Sequence, residues 1–317
     1  MLSIRPVGDT AGTNWIASGG PDADVLRTVA LLCFLSIFAA SVAHAGDVEI
    51  LVVGDGKPYL SAARAAAAGL GKGVEPLVLP LDAPLPQRWQ SEGPKVVVAV
   101  GARALRLALT MKETQVVAAM VLQESPELQS ARVSSVPLAV PVERQLELLA
   151  RLAPQAKRIG LVIDPTHSSS VVAEARAAVA KRGQELVLRE VQDPMLAVAA
   201  FEGLLPKVDA LLLVADTTVV RREALELLVR RSQELKKPVI GYSAAVVQSG
   251  LVAGFGVEPE ENGLAAATIA RARLAGQVPR AAELTGKLHL NLKSARLVGL
   301  AVPADLSAPP TTVYDPR

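Results

Sequence analysis

The stretch RIGLVIDPTHSSSVVAEARAAVAKRG, residues 158–183, contains the repeating unit from which the fold can be predicted. Its first six residues form a mostly apolar run, and a polar cluster of threonine, histidine and serine follows. An alanine-rich stretch with helical spacing then ends in Lys-Arg-Gly at 181–183. Apolar runs without alternation are typical of parallel strands covered on both faces, and basic residues before a glycine are typical helix ends. The segment therefore predicts a strand, a polar loop and a helix.

The same alternation of strand and helix patterns recurs along the chain. We predict strands at residues 48–54, 95–101, 115–121, 158–163, 185–191, 210–215, 238–242 and 251–256. We predict helices between them at residues 60–70, 102–111, 142–153, 171–183, 195–205, 220–237 and 262–276. Such alternation predicts an α/β fold with doubly wound parallel sheets and right-handed crossovers.

Two regions break this pattern. Residues 135–145, SVPLAVPVERQ, contain two prolines, have no helix before them and separate two strand–helix series. We therefore expect a crossing between two lobes at this point. The proline-rich tail, residues 307–317, is predicted to be frayed and flexible.

The amino-terminal segment predicts the compartment. One basic residue, Arg27, precedes an apolar stretch from Val29 to about Ala40, and an Ala-His-Ala run ends at Ala45. This pattern is typical of a secretory signal peptide, here residues 1–45. The apolar stretch is short for a membrane span of roughly 20 residues, although an uncleaved anchor is the alternative. We expect an exported, periplasmic protein.

Composition excludes several classes of function. The only cysteine, Cys33, lies inside the predicted signal peptide and has no lipobox before it, so we expect neither a lipoprotein nor a thiol in the mature chain. A net charge of +2 without basic blocks, together with 3% aromatic residues, argues against nucleic-acid binding.

Motifs for catalysis and cofactor binding are absent from the sequence. It contains no G-x-S-x-G, H-E-x-x-H, Walker lysine pattern or G-x-G-x-x-G after a strand. A Ser-His-Asp triad would have to use His167 or His289, the only histidines after the signal peptide. We predict no cofactor, no metal site and no enzymatic activity.

The predicted strands share small polar residues after their carboxyl ends, which is where α/β sheets bind ligands. Helix amino termini behind them could bind a carboxylate or phosphate, although Ser, Thr and Asp are also the preferred helix caps. The candidate ligand-binding residues at these ends are Asp55, Gly56, Ala102, Arg103, Thr166, His167, Ser168, Ser169, Asp216, Thr217, Tyr242 and Ser243.

Two charged residues among them have opposite relations to the helix dipole. Arg103 lies in the first predicted turn of its helix, where a cation is unfavourable by roughly 0.3–1 kcal/mol. An anionic ligand would explain an arginine at this position. The alternative is that the aliphatic part of the Arg103 side chain lies back over the edge of the sheet. An acidic residue such as Asp216 is favourable at a helix start, so Asp216 could simply cap a helix. The alternative is that it binds the ammonium group of a zwitterionic ligand.

Four stretches of the carboxyl half carry a resemblance to a known family. They are VPVERQLELLARLAPQAKRIGLVIDP, VDALLLVADTTVV, KKPVIGYSAAVVQSGLVAGFGVEPEENG and LHLNLKSARLVGLAVP. Their order and spacing, over about residues 138–303, resemble the substrate-binding proteins of ABC transporters, in particular the tryptophan/tyrosine-type family with the type I periplasmic-binding fold. This chain departs from the family at Thr217, where the family commonly has asparagine after the aspartate, and at Ala244, where it commonly has an acidic residue.

The resemblance implies two Rossmann-like lobes that are joined by three crossings and bind a ligand in the cleft between them. By analogy, the lobes comprise residues 46–138 plus 257–278 and residues 139–256 plus 279–306. It also implies that the polar residues at the strand ends line the cleft.

From the residues and the resemblance together we predict a solute-binding protein of an ABC transport system. It would capture a small polar or anionic, amino-acid-like solute by hinge closure and present it to a membrane permease, as a monomer. Two alternatives stay open: a periplasmic sensor module for a receptor kinase or an outer-membrane receptor system, and a periplasmic hydrolase.

Overall fold

The computed structural model describes residues 46–122, 125–280, 282 and 284–315. The predicted signal peptide, including Cys33, lies outside the described residues. Within them, no helix has both the length and the hydropathy that crossing a membrane requires.

The described chain alternates strands and helices. The strands are β1 (Val48–Val53), β2 (Pro76–Leu79), β3 (Val96–Val100), β4 (Gln115–Ala119), β5 (Val133–Ser135), β6 (Arg158–Ile163), β7 (Glu185–Glu190), β8 (Ala210–Leu212), β9 (Val239–Gly241), β10 (Ala253–Gly256), β11 (Lys287–Asn291) and β12 (Thr312–Tyr314). The helices are α1 (Lys57–Leu70), α2 (Gln87–Ser91), α3 (Ala102–Ala108), α4 (Val142–Leu152), α5 (Pro165–Lys181), α6 (Ala197–Leu204), α7 (Arg222–Glu234), α8 (Ala244–Gln248), α9 (Pro259–Leu274) and α10 (Leu292–Leu297). Short 3-10 turns lie at Pro126–Gln129, Pro194–Leu196, Leu205–Lys207 and Ala304–Ser307.

The strands form two separate sheets. The first has the order β2-β1-β3-β4-β5, and all of its pairs are parallel. The second has the order β12-β11-β10-β9-β8-β6-β7 and is parallel except for the β10–β11 pair. All five residues of β3 are buried, as expected for a central strand with helices on both faces. The predicted fold of two α/β lobes with parallel sheets is confirmed.

Helix α9 packs on the first sheet, which ends more than 120 residues before it in the chain. Although it follows β10 of the second sheet, its residues Ala266, Ala267 and Ile269 share a buried apolar cluster with β1 and β3. Gly263 makes this packing possible, because a Cβ there would stand 2.0 Å from the carbonyl oxygen of Ala62 on α1. We call the first sheet with α1–α3 and α9 lobe 1, and the second sheet with its helices lobe 2.

Three crossings join the lobes, after β5, after β10 and after α9. They meet at Gly286, whose φ is +62°. A side chain at Gly286 would stand 2.5 Å from Val140 in the first crossing and 3.3 Å from Phe255 at the end of β10. A glycine is therefore required at this position by the backbone conformation and by the space.

Two side chains at the start of α9 fasten the crossings to lobe 1. The completely buried Asn262 accepts a hydrogen bond from the Met120 N–H and donates to the Pro137 carbonyl, each at 2.9 Å. Glu261 accepts from the backbone N–H groups of Thr285 and Gly286. The start of α9 is thus held by the first and third crossings.

The structure corrects the prediction at two places. The polar cluster after β6 is not a loop, because α5 begins at Pro165 and includes it; Pro165 has a fixed φ suited to a helix start, and Asp164 caps the helix by accepting from the Thr166 N–H. The start of α5 was not recognised in the sequence because serine and threonine are poor helix formers. The tail is also not frayed over its whole length, because Thr312–Tyr314 pairs with β11.

Candidate functional site

The four predicted site residues of lobe 1 line one cavity of about 400 Å³. The cavity lies where β1 and β3 end and α1 and α3 begin. Its lining residues are Val53, Gly54, Asp55, Gly56, Tyr59, Leu81, Val100, Gly101, Ala102, Arg103 and Arg106. It is thus formed at the carboxyl ends of parallel strands, where ligands bind in sheets of this class.

Two glycines allow the ring of Tyr59 to form a wall of this cavity. A Cβ at Gly56 would stand 2.9 Å from the ring, and one at Gly101 would stand 3.1 Å from it. Gly101 also has a φ of +91°, which other residues rarely adopt. The tyrosine is 39% exposed, so one part of it packs on the glycines and the rest is open to the cavity.

Charge in the cavity comes from exposed side chains of both signs. Arg103 is exposed and, among the described residues, has no carboxylate within ion-pair distance. Arg106 pairs with Glu127 at 3.4 Å. Asp55 is exposed in the same cavity. Helix α1 has neither an acidic residue in its first turn nor a side-chain cap. The cavity therefore offers a cation, a carboxylate and a helix amino terminus.

The predicted residues of lobe 2 surround a buried network at the ends of β6 and β8. Asp216, only 1% exposed, accepts from the Asp164 N–H at 2.7 Å and from the Ser168 hydroxyl at 2.8 Å through one oxygen. Its other oxygen accepts from the N–H groups of Thr218 at 3.0 Å and Val219 at 3.2 Å. The network joins the loop after β8 to the start of α5.

In this network the side chains of Asp216 and Ser168 bond to the protein itself. Both oxygens of Asp216 accept from protein donors, so its carboxylate has no free oxygen for an ammonium group in this conformation. Ser168 is buried, and its backbone (φ −117°, ψ 20°) interrupts α5 where its hydroxyl donates to Asp216.

Asp164 orients the histidine of the cluster. Its Oδ2 accepts from the Thr218 hydroxyl at 2.8 Å and lies 3.2 Å from Nδ1 of His167. Burial by itself raises the pKa of Asp164, but hydrogen bonds from Thr166 and Thr218 outweigh it, and the net pKa is below 3.8. An ionised carboxylate only accepts hydrogen bonds, so Nδ1 of His167 can bond to Asp164 only when it carries a hydrogen. Its ring is 34% exposed, which leaves Nε2 for another partner.

This arrangement does not support a Ser-His-Asp triad. The Ser168 hydroxyl donates to Asp216, and the contacts of His167 in the described residues are with Asp164 and Thr218. No group of three or more His, Cys, Asp or Glu side chains suited to a metal occurs in the part of the chain that the structure describes.

The remaining predicted residues of lobe 2 differ in exposure. Thr166 and Ser169 are exposed in the first turns of α5, and Thr217 is exposed in the turn after β8. Tyr242 and Ser243 are half-buried after β9, and Tyr242 packs against the core between the second sheet and α7. None of the lobe 2 candidates lines the lobe 1 cavity.

Sequence reasoning missed several members of these two groups. Arg106 and Leu81 line the cavity, and Asp164 and Thr218 belong to the buried network. Asp164 could have been found, since an aspartate before a proline at the end of a strand is a typical helix cap.

Comparisons with known proteins agree with this architecture. The family model described as ABC transporter substrate binding protein matches residues 86–314. A comparison with curated proteins returned no match.

Solved structures resemble the chain over most of its length. A ligand-free, open substrate-binding protein with adhesive properties from Clostridium difficile is 17% identical, with a TM-score of 0.65 over 85% of this chain and 99% of the other. An ABC domain in complex with L-Trp from Streptococcus pneumoniae is 20% identical, with a TM-score of 0.59 over 84% and 99%. A conserved domain protein from Vibrio cholerae is 20% identical, with a TM-score of 0.57 over 85% and 100%. At these identities the likeness concerns the fold. Since the family model covers most of the chain, this protein belongs to the family of ABC transporter substrate-binding proteins.

Proposed function

We propose that the protein is exported and captures an amino-acid-like solute between its two lobes, which close on it by bending at the three crossings. The observation that carries this proposal is the lobe 1 cavity, where Arg103 has no carboxylate partner among the described residues and stands with Asp55 and the ring of Tyr59. Family membership supports a small-molecule solute and a transporter permease as partners.

The charges of the cavity favour a zwitterionic or anionic solute. The Arg103 guanidinium can bind a carboxylate through two parallel hydrogen bonds, and the uncapped start of α1 adds a favourable dipole. Asp55 can accept from an ammonium group, the role that Asp216 does not fill. The ring of Tyr59 can pack on the apolar part of the solute.

Lobe 2 contributes hydroxyl groups and one histidine to the proposed cleft. Thr166, Ser169 and Thr217 are exposed where α5 and the loop after β8 begin. Nε2 of His167 is available because Nδ1 is committed to Asp164. These groups would contact the solute only after closure, so they would stabilise the closed state over the open one.

We propose lobe limits that fall at the crossings, with residues 46–138 plus 257–278 in lobe 1 and residues 139–256 plus 279–306 in lobe 2. The hydrogen bonds of Asn262 fix the start of α9 to lobe 1, so we expect bending in the crossings. We propose further that the protein acts in the periplasm as a monomer and binds its solute without catalysis.

A thermal-shift screen of the full chain against amino acids, short peptides, organic acids and sugars tests this function. A true solute at about 100 times its Kd adds roughly 2.7 kcal/mol to the free energy of unfolding. An amino acid or organic acid is expected to give the largest shift. A response to neutral sugars alone would contradict the proposed solute class.

Arg103→Ala is the variant that tests the cavity. It should abolish the shift produced by the best anionic or zwitterionic compound, because the carboxylate loses its charged partner. Arg64→Ala is the matched control, since Arg64 is an exposed arginine on α1 outside the cavity. Unchanged affinity in Arg103→Ala would remove the cavity from the binding site.

A further inference from the structure

His289 on β11 is a buried histidine with an unsatisfied ring nitrogen. The residue is 3% exposed, and its Nε2 has no hydrogen-bond partner in the described residues. The ring stacks on Tyr314 of β12, with 6.0 Å between the ring centres and 14° between the planes. A buried polar atom without a partner is costly and uncommon in native proteins, so this nitrogen calls for a physical explanation.

Hydrogen bonds reach the other ring nitrogen, Nδ1. Gln248 of α8 donates to the Tyr314 hydroxyl at 3.0 Å, and the hydroxyl lies 3.1 Å from Nδ1 of His289. When the hydroxyl donates to Nδ1, the neutral ring carries its hydrogen on Nε2, for which the described residues offer no acceptor within hydrogen-bond distance.

The nearest carboxylate to this nitrogen belongs to a crossing between the lobes. Oε1 of Glu258, the residue before α9, lies 3.6 Å from Nε2, which is beyond hydrogen-bond length. Gly256 lies directly beside the ring, since a Cβ there would stand 3.1 Å from Nε2. Because Gly256 has no side chain, the backbone at the start of the second crossing can lie directly against the ring of His289.

Under the hinge closure proposed above, Glu258 would move with lobe 1 and His289 with lobe 2. Glu258 directly precedes α9, whose first turn is fixed to lobe 1 through Asn262. His289 lies within the second sheet and pairs with Gly254 of β10. A change in the angle between the lobes therefore changes the distance from Oε1 to Nε2, and a movement of less than about 1 Å would complete the bond.

We propose that Glu258 and His289 form a pH-dependent latch, in which lobe closure brings the carboxylate onto Nε2 and protonation of the ring strengthens the contact. The proposal rests on the hinge closure proposed above, but it does not depend on the identity of the solute. The latch lies at the crossing and leaves the solute cavity free.

The direction of the pH effect follows from the charges that face His289. In the present conformation burial lowers the pKa of His289 below 6.5; the Glu258 carboxylate opposes this effect and Lys287 on β11 adds to it. Tyr314 and Gln248 are the other polar groups near the ring. Contact with Glu258 raises the pKa of His289 in the closed state, so closure takes up a proton. Acidification through the interval between the two pKa values therefore favours the closed state.

Distance measurements between spin labels on the two lobes test the latch without a solute. Labels at Arg64→Cys on α1 and Arg176→Cys on α5, both exposed positions, are placed in the full chain with Cys33→Ser. As the pH falls from about 7.5 to about 5.5 the ratio of short to long distances should rise. If the contact raises the pKa of His289 by one unit, the rise approaches a limit of about tenfold only once the pH is below both pKa values.

Two variants make the result specific to the latch. Glu258→Gln keeps an acceptor oxygen but removes the charge, so it should abolish the pH response while both distances remain. Glu260→Gln removes a charge two residues further along the chain. It should leave the pH response of the distances unchanged. A pH response that survives Glu258→Gln, or two distances whose ratio never changes with pH in the unmodified chain, would overturn the latch alone. A single distance under all conditions would contradict the hinge closure as well.

Discussion

Replacing Asp216 by alanine should destabilise the protein in the absence of any solute. The change removes acceptors from four donors, which are the Asp164 N–H, the Ser168 hydroxyl and the N–H groups of Thr218 and Val219. The Val219 N–H retains the main-chain carbonyl of residue 216 at 3.2 Å. Three donors thus lose their partner in a buried site. At about 1 kcal/mol for each, the free energy of unfolding should fall by about 3 kcal/mol.

Urea denaturation of the two chains, followed by circular dichroism, measures this loss directly. For a chain of this size, the same change should lower Tm by roughly 6–12 °C. Asp82→Ala is the matched control, because it makes the same substitution at an exposed aspartate and should change stability by less than about 0.5 kcal/mol. If Asp216 serves only to bind an ammonium group, its removal leaves the stability of the solute-free protein unchanged. That result would refute the positioning role derived from the network.

Three further changes test the packing and the electrostatics. Gly263→Ala places a Cβ 2.0 Å from a carbonyl oxygen of α1, so the free energy of unfolding in urea should fall by about 3 kcal/mol. The control is Gly203→Ala, because this helical position has no atom within 4 Å of the added Cβ. The control should leave the free energy of unfolding unchanged or raise it by up to about 1 kcal/mol. Asn262→Ala removes the partner of a part-buried N–H and of a part-buried carbonyl, and it should lower the urea midpoint by an amount equivalent to about 2 kcal/mol. An unchanged midpoint would contradict its fastening role. The lowered pKa of Asp164 adds stability above pH 3.8 that is lost as pH falls through the folded-state pKa, so Thr218→Val should move the acid-unfolding midpoint to higher pH, and an identical midpoint would count against the hydrogen bond.

The central strands could be predicted because their residues are apolar on both faces. The predicted strand at 158–163 has the bounds of β6, and β3 and β4 differ from their predictions by one or two residues at an end. The edge strands β2, β5 and β12 were missed, since they are three or four residues long and half-exposed, which leaves no continuous apolar run. The interior strand β11 was missed as well, because polar residues interrupt its sequence KLHLN. Their strand conformation depends on pairing with a neighbour, which a local pattern does not contain.

The sequence predicted where the candidate residues lie in the fold, but it predicted their contacts only in part. The strand-end rule located Asp55 and Arg103, which line one cavity. The same rule predicted that Asp216 binds a ligand. In the structure its carboxylate accepts hydrogen bonds from Asp164 and Ser168, some fifty residues away in sequence. Hydrogen-bond partners at that separation follow from the fold and leave no local signal.

A crystal structure of the protein with the compound that gives the largest thermal shift tests the central claim most directly. We predict that the compound lies between the lobes, with its carboxylate on Arg103 from lobe 1 and with Thr166 or Thr217 of lobe 2 against its other side. A compound bound to one lobe alone, or at a surface away from the ends of β1 and β6, would contradict the account.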